Sequence, residues 1–185
     1  MKQLIVLVLI VLVAGGWLVS VRNGLIRKEE TVKEQWSQID AQLVRRVDLI
    51  PNLVEVVKGY ATHEKDIFLQ IADARSRLLR AQGPAAKAEA SAAMNDWVGR
   101  VLAIAESYPA LRASENFTRL QDELAGTENR ITVARTRYNE AVKEFNSAIR
   151  GFPGSLFTAG LGLKSAEYFQ PPAGKALAEP PKVQF

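Results

Sequence analysis

The stretch LIVLVLIVLVAGGWLVSV, Leu4 to Val21, decides how the rest of the chain is read: it holds 18 consecutive uncharged residues in a chain of 185. As a helix it is about 27 Å long, against a hydrocarbon core of roughly 30 Å. Leu, Ile and Val fill it except at Ala14, Gly15, Gly16, Trp17 and Ser20. Lys2 stands on one side, and Arg22, Arg27, Lys28 and Lys33 follow on the other. This is the pattern of a membrane anchor, with Leu4, Val13 and Val21 marking its apolar length and Trp17 placed where an aromatic suits the interface. The rival reading is a cleaved signal, with Val13-Ala14-Gly15 as a tolerable cleavage site. The run continues through Trp17, Leu18, Val19 and Val21, longer than such a signal needs, so the uncleaved anchor is preferred. The Lys/Arg excess after Val21 predicts the N-terminus outside and the remaining domain in the cytoplasm.

The remainder is long enough for one ordinary domain with a real core. The whole chain holds 24 basic and 20 acidic residues, a net charge of +4, and the signs are interspersed. No basic stripe with aromatics is present, so nucleic acid is not an expected partner. There is no cysteine and only one histidine, His63. Thiolate chemistry, disulfides and multi-histidine metal sites within one chain are therefore excluded, and no metal or cofactor is expected. His63 and Glu64 are the only adjacent histidine and carboxylate, and as sequence neighbours on a helix they point apart.

Four helical stretches and no convincing strand follow the anchor. The first continues to about Asp48, with Val32, Trp36, Ile39, Leu43, Val47 and Ile50 at helical spacing. Pro51 predicts a boundary and the first turn of a new helix. That helix carries Leu53, Val57, Tyr60, Ile67, Ile71, Ala74 and Leu78 as its stripe. Gln82-Gly83-Pro84 closes it. An alanine-rich third helix places Met94, Trp97, Val101, Ile104 and Tyr108 on one side, up to Pro109. The fourth runs from about Ala110 to Arg150 with Phe117, Leu120, Leu124, Ile131, Tyr138, Val142, Phe145 and Ile149. Its seam spacing is close to ~3.5, which predicts gentle coiling. The expected fold is all-α: a transmembrane helix continuing into an elongated antiparallel bundle of long helices. The expected divisions are an anchor over 1–22, a helical bundle over 23–169 and a Pro/Ala-rich tail over 170–185.

The segment 42–52, Gln-Leu-Val-Arg-Arg-Val-Asp-Leu-Ile-Pro-Asn, concentrates polar groups at the predicted turn. Arg45, Arg46, Asp48, Pro51 and Asn52 read as a polar corner between two helices, with Arg45 and Asp48 three apart and able to pair. A partner-binding corner is the sharper reading. Asn139 and Asn146, beside Tyr138 and Phe145, fit residues that set register on a long seam.

These blocks together resemble the LemA family. The carrying residues are Gln42 to Val54, then Val57-Lys58-Gly59-Tyr60-Ala61 with His63-Glu64. They continue with Arg137-Tyr138-Asn139 through Phe145-Asn146 to Phe152-Pro153-Gly154, then Ala166-Glu167-Tyr168-Phe169 and the closing Pro-Lys-Val-x-Phe. The resemblance implies a single-pass membrane protein with a small external N-terminus and a cytoplasmic helical bundle, and implies no known catalytic site.

The expected function is a non-enzymatic, membrane-anchored scaffold or adaptor that self-associates and organises membrane-protein partners. Gly15 and Gly16 permit close approach of anchor helices. Leu156, Phe157 and Leu161, with Val183 and Phe185 of the tail, are the candidate contacts to partners or other copies. The alternatives are a module transmitting a membrane signal, or an enzyme subunit with a site around His63 and Glu64.

Overall fold

The computed structural model describes residues 1–61 and 63–170. It contains α1 (Lys2–Lys58), α2 (Lys65–Arg80), α3 (Gly83–Glu106), α4 (Pro109–Arg112), α5 (Glu115–Arg150) and α6 (Ser155–Thr158), with no strand among the described residues. The all-α expectation holds. The tail contacts Val183 and Phe185 lie outside the described residues.

One expectation fails at Pro51. The first helix does not end at Asp48, and Pro51 opens no second one: it lies inside α1, which runs on to Lys58. A proline inside a helix has no N–H for the carbonyl four residues back and disturbs that turn. Here that carbonyl belongs to Val47, and Nε of Arg75 donates to it at 3.3 Å. The substitute donor comes from α2, 28 residues away. The break falls instead after Lys58, where the amide of Tyr60 donates back to Val57 in a tightened final turn.

The chain forms two units. The first holds Met1–Trp36 and Arg137–Glu167; the second holds Ser37–Thr136 and the described residues 168–170.

In the first unit, α1 contains an 18-residue window apolar enough to cross a membrane, and none of it is buried. Leu4, Val13 and Trp17 are exposed. A row of large aliphatic side chains left bare is unfavourable in water and favourable in lipid. Farther along, α1 and α5 run antiparallel. Lys28 Nζ meets Glu144 at 2.7 Å, and the rings of Trp36 and Tyr138 lie 5.5 Å apart, so one residue number rises as the other falls. The Lys28 ammonium holds the Glu144 carboxyl below its ordinary range.

In the second unit α1 buries Ile39, Leu43, Val47, Ile50, Leu53 and Val57, spaced three or four apart. Each such side chain contributes roughly 1.5–3 kcal/mol on burial. α2 buries Phe68, Ile71, Ala74 and Leu78. α3 buries Ala88, Ser91, Met94, Val98, Val101 and Ala105. Its inward face is thus turned by one residue from the expected stripe, with Trp97 and Ile104 at the edge. Small Ala88, Ser91 and Ala105 seat this helix closely, and bulky neighbours are displaced outward. Gly83, at φ 79°, makes a left-handed turn at the first position of α3, a conformation that glycine adopts without strain. The expected fourth helix is divided: α4 ends at Arg112 and α5 starts at Glu115.

Candidate functional site

Three places collect the residues singled out in the sequence. The first is the 42–52 block. It is a continuous face of α1, and no corner exists there because no helix ends there. Arg45, Asp48, Pro51 and Asn52 are exposed, and Arg45 and Asp48 do not pair. Arg46 is the exception, only 5% exposed, and it forms an ion pair with Glu128 of α5. Burial lowers the Arg46 pKa, and Glu128 offsets this only in part. Its Nε has no partner, and Oε1 of Gln42, one turn earlier, has none either.

A buried charge with an incomplete set of partners costs stability, and removing its counter-charge costs more. Arg46→Met should therefore be close to neutral. Glu128→Leu should destabilise the fold by about 1–2 kcal/mol, the usual cost being discounted because Glu128 is partly exposed. Chemical denaturation of the two variants checks the asymmetry; equal losses would contradict it.

The second place is a groove of about 750 Å³ between the last turns of α1 and α2. Pro51, Val54, Phe68, Leu69 and Ala72 supply apolar lining, and Lys58, Lys65 and Arg75 are its charged lining residues. Lys58 Nζ lies 5.4 Å from the centre of the Phe68 ring. His63 is exposed and Glu64 half-buried in the α1–α2 connection, and neither lines the groove. Among the described residues no group of three His, Asp or Glu converges as a metal site. Periodicity could not find this groove, because it arises from α1 continuing past Pro51.

The third place is in the first unit, where the chain returns beside the end of the anchor. Gly151, Phe152, Pro153 and Gly154 line one cavity together with Val21, Gly24, Leu25 and Lys28. Gly154 is buried with an ordinary helical backbone, φ −59° and ψ −36°. A Cβ there would stand 2.0 Å from the Ala148 carbonyl oxygen and 3.3 Å from Leu25 Cδ2. Close approach, not backbone freedom, requires the glycine. The Thr158 hydroxyl donates to the Ile149 carbonyl at 2.8 Å, satisfying a group left open at the end of α5. Of the expected contacts, Leu156 is exposed, while Phe157 and Leu161 are half-buried.

Beyond this turn the chain lies back along α5. Asn146 Nδ2 donates to the Ala166 carbonyl at 2.9 Å, and the Ala166 amide donates to Asn146 Oδ1 at 2.8 Å. The Tyr138 hydroxyl donates to the Glu167 carbonyl at 2.7 Å. Asn146 was expected to set register on a seam; its bonds tie down a returning strap. Burial first, and the Glu167 charge second, push the Tyr138 pKa up to about 12. The fold thus favours the protonated phenol. This stabilisation is complete below about pH 10 and is lost as the pH rises from there through about 12. Denaturation of wild type and Tyr138→Phe at both ends of that window should show the wild-type advantage disappear at high pH.

A bare apolar helix long enough to cross a membrane, leading into a domain that is helical among the described residues, defines a helical protein with one candidate membrane span. The model of the LemA family matches residues 35–185, and the chain belongs to that family. It is similar to Magnetosome protein MamQ 2 of Paramagnetospirillum magneticum, 26% identical over 82% of this chain and 66% of that protein. It is also similar to Magnetosome protein MamQ of Magnetospirillum gryphiswaldense, 25% identical over 87% of this chain and 69% of that protein. Protein LemA of Metamycoplasma hominis is 25% identical over 80% of this chain and 68% of its own length. The chain thus spans about two thirds of the length of the curated relatives it matches.

Proposed function

We propose that this protein is a membrane-anchored, non-enzymatic scaffold or adaptor that self-associates through its anchor and presents its helical domain to membrane-protein partners. The observation that carries the reading is α1. One uninterrupted helix holds a bare apolar span and, beyond it, the buried stripe of the helical domain. The groove of Pro51, Val54 and Phe68 adds an apolar surface with cationic borders. The curated magnetosome relatives are named for the structure they belong to and not for a reaction, which agrees with an assembly role. The domain is assigned to the cytoplasmic side on the Lys/Arg excess after Val21.

Self-association is assigned to the Gly15–Gly16 face, where an added Cβ meets nothing within 4 Å. Anchor helices approach closely at such small residues. The chain has no cysteine, so single cysteines are clean probes. Gly16→Cys, oxidised in membranes, should give a disulfide-linked dimer, because that bond needs Cα atoms within about 7 Å. Ile10→Cys, turned away from both glycines, should give much less. Equal yields at both positions, or none at Gly16, would count against an anchor interface.

The unbroken α1 also favours a second reading, in which a membrane event is transmitted along the helix. Proline insertion at Gly24 would abolish a transmitted response and leave a static scaffold assembled.

A further inference from the structure

We propose that the turn after α5 is a second membrane contact, which dips Phe152 and Leu156 into the lipid interface beside the anchor. The inference rests on α1 being a membrane anchor. Its first support is position. Phe152, Pro153 and Gly154 line one cavity with Val21, the last residue of the apolar run, and with Gly24 and Leu25 directly after it, and Gly154 approaches Leu25 closely. Three residues of helix rise only about 5 Å, so a turn packed here lies at headgroup depth once Leu4–Val21 spans the core.

Its second support is exposure. Phe152 is 79% and Leu156 64% exposed, while Gly154 between them is buried against Ala148 and Leu25. The buried glycine fixes the turn, and the two large apolar side chains on either side of it have no protein to cover them. Bare apolar side chains of this size favour an interface, and the anchor brings one within reach.

Charge is the third support. Residues 145–166 contain no Asp or Glu, and they carry Arg150 and Lys164, both exposed. Arg22 and Arg27 are exposed on α1 near the same turn. Exposed cations in the segments flanking an apolar tip match a bilayer surface bearing anionic headgroups. A second protein copy would cover the same side chains but would not call for those cations. It is the competing occupant that the experiment separates.

The test uses the full chain in lipid vesicles containing anionic lipid, with one environment-sensitive label at a time on an introduced cysteine. The label sites are Phe152→Cys and Leu156→Cys, with Val13→Cys inside the anchor and Ala113→Cys on the exposed connection before α5. Phe152 and Leu156 are exposed, so the substitutions leave the buried packing intact. The expected result is blue-shifted emission at 152 and 156, quenched by spin-labelled lipid carrying its label near the headgroup and little affected by aqueous iodide. Val13 should be quenched by deep-labelled lipid, and Ala113 by iodide only. Iodide quenching at 152 and 156, with Val13 in lipid, would overturn the second contact and leave the anchor standing. Protection from both quenchers at 152 and 156 would mean a protein cover and would also overturn it. A water-exposed Val13 would instead remove the anchor reading itself.

Discussion

Gly154→Ala is expected to destabilise the first unit by about 3 kcal/mol, a large effect for a single added methyl group. The new Cβ would lie 2.0 Å from the Ala148 carbonyl oxygen and 3.0 Å from its carbon. Both are backbone atoms at the end of α5, and neither can swing aside as the tip of a side chain could. Relief would require the 151–154 turn to lift away from Leu25, exposing the end of α5 and loosening the Thr158 bond to Ile149. Gly99 of α3 provides the contrast. An added Cβ there meets nothing within 4 Å, so Gly99→Ala should stabilise by about 0.5–1 kcal/mol through helix propensity alone. Denaturation of the full chain in mild detergent measures both. A Gly154→Ala variant as stable as wild type would show that the turn does not pack as described.

Asn146→Leu is expected to cost about 2–3 kcal/mol, because it leaves both the amide and the carbonyl of Ala166 without their partner. The side chain is 4% exposed and acts as donor and acceptor to one residue. Loss of the pair should release the 164–167 segment while the Lys28–Glu144 level of α1 and α5 stays closed. Hydrogen exchange separates these outcomes. The Ala166 amide should lose its protection, and amides in the middle of α5 should keep theirs. Retained protection at Ala166 would mean that Tyr138 alone holds the strap.

Period and composition alone made much of this fold legible. Ile39, Leu43, Val47 and Ile50 are buried as their spacing predicts, and Leu4–Val21 is as bare as an anchor requires. The misreadings share one cause, which is that a distant group overrides a local rule. Pro51 does not end α1, because Arg75 replaces the missing donor at Val47. Arg46 belongs to no corner between helices, because α1 is continuous there, and its charge meets Glu128, 82 residues away. Asn146 holds Ala166, 20 residues farther along the chain. The groove of Pro51, Val54 and Phe68 inherits this limit, since it exists only where α1 outlasts its proline. The close approach of Gly154 to Leu25 joins segments far apart in sequence, beyond the reach of any local pattern.

The central claim, a self-assembling scaffold at the membrane, is tested most directly by the mass and composition of the complex released gently from membranes. The account predicts a discrete multiple of 20.4 kDa, with any further protein in fixed stoichiometry. A single chain of 20.4 kDa with no stoichiometric companion would contradict it.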